Sequence, residues 1–274
     1  GYVYTLPDSY GSVMDYTINS NVPPDGNYTF NVIYNDFLNN GDDTVSVSNV
    51  TIKRSTLTPT LSSPASLSTY GSVDSIKFSY NLPDTPKLNS VYALIKNAGT
   101  NTVVDTVFFS QSKKIDSILL PITNLNSNVR ASSTLNSLPA GTYDISISYQ
   151  DTFDNPRASA SATGISVNLT TLAPTITQPV AGTSYNLLPI AYTIPETALA
   201  GSVQIRLINN TDTIVMNMID ATPGGTTYVN PASDPSGISP YVSATTTGNS
   251  KFIPDGTYKV YLSYQDALGN PVAY

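Results

Sequence analysis

The chain repeats itself, and that constrains its fold more than anything else in it. Pro24-Asp25-Gly26-Asn27-Tyr28, Pro139-Ala140-Gly141-Thr142-Tyr143 and Pro254-Asp255-Gly256-Thr257-Tyr258 recur at intervals of 115 residues. The residues after each corner also match: Phe30, Val32, Tyr34 and Asp36, then Ile145, Ile147, Tyr149 and Asp151, then Val260, Leu262, Tyr264 and Asp266. Thr56-Leu57-Thr58-Pro59-Thr60 returns at the same interval as Thr171-Leu172-Ala173-Pro174-Thr175. Tyr80-Asn81-Leu82-Pro83 returns as Tyr192-Thr193-Ile194-Pro195, three residues early, the size of one loop deletion. A period of this length means a small domain copied in tandem. The phase divides the chain into 1–57, the C-terminal part of a repeat; 58–172, a complete repeat; and 173–274, a repeat without its last strand. No third counterpart of Val45–Ile52 or Ala160–Leu169 comes after the final turn, so the chain reads as a window cut from a longer array. A strand supplied by a neighbouring copy is the alternative expectation.

Every convincing periodic stretch has period two. Tyr143, Ile145, Ile147 and Tyr149 alternate with Asp144, Ser146, Ser148 and Gln150, leaving one apolar and one polar face. Ile76, Phe78, Tyr80 and Leu82 alternate likewise, as do Val91, Ala93, Ile95 and their counterparts Val203, Ile205, Leu207. β-Branched and aromatic residues fill these runs, no stretch carries a helical spacing, and Pro and Gly punctuate the chain as short antiparallel strands require. The expected fold is all-β.

Composition removes several function classes. The 274 residues contain no Cys and no His, so no Ser-His-Asp or Cys-His nucleophile, no zinc site and no disulfide staple can form. Twelve unclustered Lys and Arg in a chain of net charge −7 argue against nucleic acid as a partner. No run approaches the roughly 18 apolar residues of a membrane span, so no membrane insertion is expected. The first residues carry no charged-then-apolar targeting pattern.

The Pro-x-Gly-x-Tyr corner places a turn before a strand, with Tyr28, Tyr143 and Tyr258 at the strand's start. In an immunoglobulin-like sandwich such a Tyr bonds backbone a few residues upstream. Where an antibody domain would carry its second Cys, this chain has Phe30, Ile145 and Val260. The run from Pro254 to Asn270 resembles the closing strands of bacterial-type immunoglobulin-like repeats, the tandem modules of large extracellular adhesins and stalk proteins. That resemblance covers 17 residues per copy and implies tandem immunoglobulin-like antiparallel β-sandwich modules at an extracellular or cell-surface location. The repeat is longer than the roughly 100 residues of such a sandwich. The excess lies before the corner, at 121–138 and 231–253.

Several residue sets are candidates for chemistry. Asp36, Asp151 and Asp266 hold equivalent places after a core strand, with Asp154 nearby, and carboxylates with turn carbonyls and Asn are oxygen ligands of the kind calcium takes. Asp and Asn also favour turns for local hydrogen-bonding reasons, and no segment has dense EF-hand spacing. No other cofactor is expected. Glu196, the sole Glu, and its counterpart Asp84 read as loop residues; nothing pairs two carboxylates as a glycosidase requires, and the chain is not expected to be an enzyme. A Lys–Asn isopeptide would need a Lys beside an acid, and the Lys residues do not recur in register. The long loops before the corner, with Asn124, Asn126, Asn128 and Arg130 in one copy and Tyr241, Thr245 and Asn249 in the next, either bind a partner or cover a sandwich edge. Tyr2, Tyr4, Tyr10 and Tyr16 crowd the start of the chain, where they either pack a domain or stack on a sugar.

The sequence thus points to a structural stalk or filament of stacked modules, partnered by neighbouring modules and copies of itself. The short Pro-containing stretches around Pro59–Pro64 and Pro174–Pro179 read as stiff linkers. An adhesive module binding glycan or protein through the long loops is the alternative.

Overall fold

The structure is a computed structural model that describes residues 25–110, 114–211, 213–218, 227–229, 242–247 and 253–274. Among them there are strands and turns and no helix. A hairpin comes first, β1 (Gly26–Asn35) and β2 (Asp42–Ile52). Nine strands form the next group: β3 (Thr60–Ser63), β4 (Thr69–Tyr70), β5 (Ser75–Asn81), β6 (Tyr92–Asn97), β7 (Val103–Phe109), β8 (Ile115–Pro121), β9 (Ala131–Ser133), β10 (Gly141–Tyr149) and β11 (Ala158–Val167). The last group is β12 (Thr175–Gln178), β13 (Leu188–Thr193), β14 (Gln204–Ile208), β15 (Thr213–Met218), β16 (Thr227–Val229), β17 (Val242–Thr247) and β18 (Lys259–Ser263).

In the middle group, a sheet ordered β3-β5-β8 faces one ordered β4-β11-β10-β6-β7-β9. The pleat explains the pairing. Ile76, Phe78 and Tyr80 of β5 and Ile118 and Leu120 of β8 point one way and are at most 2% exposed. They meet Ala93, Ile95, Val107, Ile145 and Ile147 from the larger sheet in one buried cluster. Phe109 fills the centre, its ring 5.7 Å from those of both Phe78 and Tyr80. Two sheets packed face to face over such a core make a β-sandwich. The third group repeats this arrangement with sheets β12-β13-β16 and β17-β15-β14-β18 around Ile190, Tyr192, Ile205, Met216 and Leu262.

The first hairpin has the register of β10–β11: Gly26 pairs with Ile52 and Gly141 with Val167, and a bulge follows Tyr28 in one and Tyr143 in the other. Ile145 and Ile147 are fully buried under β5 and β8, whereas Phe30 and Val32 at the same places are 47% and 58% exposed. After β18 the chain turns and Tyr264 pairs with Ala273, as Tyr149 pairs with Ala158 where β11 begins.

The stretches 59–64 and 174–179 are not the linkers their Pro residues suggest. Thr60 and Leu61 pair with Asn81 and Tyr80, and Thr175 and Ile176 with Thr193 and Tyr192. Their Thr residues and alternating side chains suit an edge strand, which tolerates flanking Pro. The connections proper are 53–57 and 168–172.

Candidate functional site

The residues after each core strand converge on the connection that enters the same sandwich. Tyr149 ends β10, and its hydroxyl donates to the Leu57 carbonyl at 2.6 Å; Tyr264 donates to the Leu172 carbonyl at 2.8 Å. The Asp151 N–H donates to Thr56 Oγ1 at 3.3 Å, and the Asp266 N–H to Thr171 Oγ1 at 3.2 Å. An acid at the end of the β5 or β13 loop takes the next N–H: Leu57 N donates to Asp84 Oδ2, and Leu172 N to Glu196 Oε2, both at 2.7 Å. Connection and sandwich are therefore stitched by the same three bonds twice.

The two junctions differ in one matched pair of positions, Lys53 with Asp84 against Asn168 with Glu196. At the first, the Lys53 ammonium lies between Asp84, with which it is in direct contact, and Asp151 Oδ2 at 3.2 Å. At the second, Asn168 stands in place of Lys53 and donates to Glu196 Oε1 at 3.3 Å. A long cation meets a short acid in one junction, and a short amide meets a longer acid in the other. Burial works against the charged amine of Lys53, but its bonds to Asp84 and Asp151 outweigh that and raise its pKa. Burial likewise opposes ionisation of Asp151, and the donors Asn155, Lys53 and Phe153 outweigh it, lowering its pKa.

The equivalent carboxylates organise their own turns. Asp151 Oδ1 accepts from the N–H groups of Phe153 and Asn155 while Oδ2 accepts from Asn155 Nδ2 at 2.9 Å. Asp266 binds Leu268, Asn270 and Asn270 Nδ2 in the same way. Asp36 binds Asn40 through both backbone and side chain, and these bonds hold its pKa below the usual carboxylate range. The fourth calcium candidate, Asp154, pairs with Lys87 on the surface. Among the described residues no group of three or more Asp and Glu is arranged to hold a metal ion.

The long loop of the middle sandwich closes on itself. Asn126 accepts from Ser133 N and donates to the Leu135 carbonyl, and Asn128 accepts from Arg130 N. Arg130 forks onto Asp116 at 2.8 and 3.1 Å and reaches the Ser117 carbonyl on the outer edge of β8. Asn124 closes a turn with its N–H on the Pro121 carbonyl. Asp105, which sequence reasoning missed, is 1% exposed and accepts bonds from Ser133, Thr134 and Leu135. Its place on β7 interrupts the apolar alternation, which was the available signal. Tyr241 and Asn249 lie outside the described residues, as do Tyr2, Tyr4, Tyr10 and Tyr16, and Thr245 is described only as a residue of β17. The corner tyrosines Tyr143 and Tyr258 donate to the carbonyls of Pro139 and Pro254 at 2.8 and 2.9 Å. Tyr28 holds the place of Tyr143 in the first hairpin, two residues into β1, and Pro24 lies outside the described residues.

A further contact joins the two sandwiches. The loop Gly71-Ser72-Val73, just past β4, meets the turn Leu268-Gly269-Asn270: Ser72 N donates to Asn270 Oδ1 at 2.7 Å. Gly71 lies so close that a Cβ there would stand 2.4 Å from the Leu268 carbonyl oxygen. Asn270 is fully buried and bridges Asp266 to the neighbouring sandwich.

No family model and no curated protein matches the chain. Among solved structures it is similar to the fibronectin(III)-like modules of Clostridium thermocellum CbhA, at 10% identity and a TM-score of 0.29, covering 79% of this chain and 89% of that one.

Proposed function

We propose that the chain is a stretch of a structural stalk, built of tandem immunoglobulin-like sandwiches repeating about every 115 residues and displayed outside the cell. The modules are 1–57, 58–172 and 173–274. The observation that carries this is the duplicated junction: Tyr149–Leu57 and Tyr264–Leu172, with Asp84 and Glu196 holding the next N–H. A flexible tether would leave its backbone groups to water. Here they are bonded to the sandwich they enter, and the sandwich behind is held by Ser72 on Asn270. The role is mechanical, and its partners are neighbouring modules and copies of the same protein. The long loop of the middle module serves to cover the β8 edge, where an unpaired strand would invite aggregation.

The second reading, an adhesive module, keeps one observation. A groove of about 570 Å³ on the third module is lined by Tyr185 and Tyr228 with Gln178 and Asn186, a mixture of aromatic faces and amides that suits a sugar. A glycan array with the 274-residue chain separates the two. No saturable sugar, together with rod-like scattering in solution, is expected of a stalk. A saturable hit abolished by Tyr228→Ala would replace it with the adhesin.

A further inference from the structure

The turn that receives the Gly71 loop exists in three copies, and only one is filled among the described residues. Leu268-Gly269-Asn270 corresponds to Phe153-Asp154-Asn155 and to Leu38-Asn39-Asn40. All three hang on an Asp through the same bonds, and the middle residue has a left-handed backbone in each, with φ of 72°, 60° and 54°. The surroundings of the second copy also match those of the filled one. Thr152 N bonds Thr85 O as Ala267 N bonds Thr197 O, and Lys87 N bonds Gln150 O as Leu199 N bonds Gln265 O. Asn155 is 8% exposed and turns its Nδ2 inward to Asp151, as Asn270 does to Asp266. The occupant is the difference. Ser72 N sits on Asn270 Oδ1, whereas no described residue donates to Asn155 Oδ1, and Phe153 is left 59% exposed where Leu268 is partly covered.

We infer that Phe153-Asp154-Asn155 is the receiving half of a module-to-module lock, and that it takes the glycine-first loop of another module of this kind. The inference rests on the stalk reading and adds the chemistry of the partner. Its first residue lies on the carbonyl of Phe153, where Gly71 shows that a Cβ has no room. Its second presents a free backbone N–H to Asn155 Oδ1. Its third is smaller than valine. A Cβ at Gly269 would lie 3.0 Å from Val73 Cγ2, and Asp154 carries a Cβ at that place. The third module lacks the loop it would offer onward, since the chain is three residues shorter between Tyr185 and Tyr192 than between Tyr70 and Tyr80. The lock is thus specific to modules that carry the longer loop.

An in-frame duplication tests this in the whole chain: residues 1–172 joined to residues 58–274, which keeps both junctions in phase. Asn168→Lys in the connection before the second copy restores the Lys53 contact. Val73→Ala in the first copy makes room for the Asp154 Cβ and gives its loop peptide a distinct mass. Hydrogen exchange then reads the two Ser72 amides separately. Slow exchange at both, with the first made fast by Asn155→Ala in the second copy, is expected. Slow exchange only at the second, which faces Asn270, overturns the lock and leaves the stacking intact. Fast exchange at both contradicts the stacking itself.

Discussion

The Tyr149 hydroxyl donates to the Leu57 carbonyl at 2.6 Å across a separation of 92 residues, and Tyr264 does the same to Leu172 at the same separation. The Tyr149 oxygen also accepts from Asp84 N at 3.4 Å, so one phenol joins the incoming connection, the end of the core strand and the acid loop. Tyr149→Phe keeps the buried ring and removes both bonds. A net loss of about 1–2 kcal/mol is expected in urea unfolding. Faster exchange of the Leu57 and Thr58 amides should accompany it, which a core defect alone would not produce.

The Lys53–Asp84 and Asn168–Glu196 pairs are matched in length, and mismatching them is expected to cost more than either change suggests. Lys53→Asn leaves a short amide facing a short acid, with Asp151, 1% exposed, losing its cation. Roughly 2 kcal/mol of stability should go, since a buried charge loses a charged partner. Asn168→Lys with Glu196→Asp should retain native stability, whereas Lys53→Asn with Asp84→Glu should recover part of its loss. A double-mutant cycle in urea measures the coupling, and strict additivity would show that the pairs do not act as units.

The junction also sets a pH window. The Asp151 carboxyl is depressed in the folded chain, so its contribution is present above the unfolded value of about 3.9 and lost as pH falls through the folded one. The Lys53 amine is raised, so its contribution is present below about 10.4 and lost as pH rises through the folded value. Melting temperature should be flat between these limits and fall outside them. Asp151→Asn should weaken the acid limb and Lys53→Asn the alkaline one, measured by calorimetry across pH.

Asp105 anchors the long loop of the middle module through donors at 133–135. Asp105→Ala leaves those donors without a buried acceptor, and a loss of roughly 2–3 kcal/mol is expected. Exchange of the amides from Ser133 to Leu135 should rise first. An unchanged loop would mean that Arg130 and Asn126 suffice to hold it.

The β-sandwich was legible because its cores obey period two: Tyr143, Ile145, Ile147 and Tyr149 read as one face and are all buried. The corner was legible because Pro-x-Gly-x-Tyr is local, with bonds that span four residues. The junction was legible only in part. Asp151, Asp266 and the Thr-Leu landmarks stood out by recurrence, but recurrence does not say what a carboxylate touches. Their partners lie up to 95 residues away, and the Lys53–Asn168 exchange hid the equivalence of the fourth position. The 59–64 segment was misread as a linker because Pro at either end of four residues looks alike in a connection and in an edge strand.

Small-angle scattering of chains carrying one, two and three in-frame copies of residues 58–172, with Asn168→Lys and Val73→Ala in every copy that another follows, tests the stalk most directly. Locked junctions predict a maximum dimension that grows by the same increment with each copy, and a cross-section that stays constant. A dimension that grows with the square root of copy number, with scattering typical of jointed beads, would contradict it.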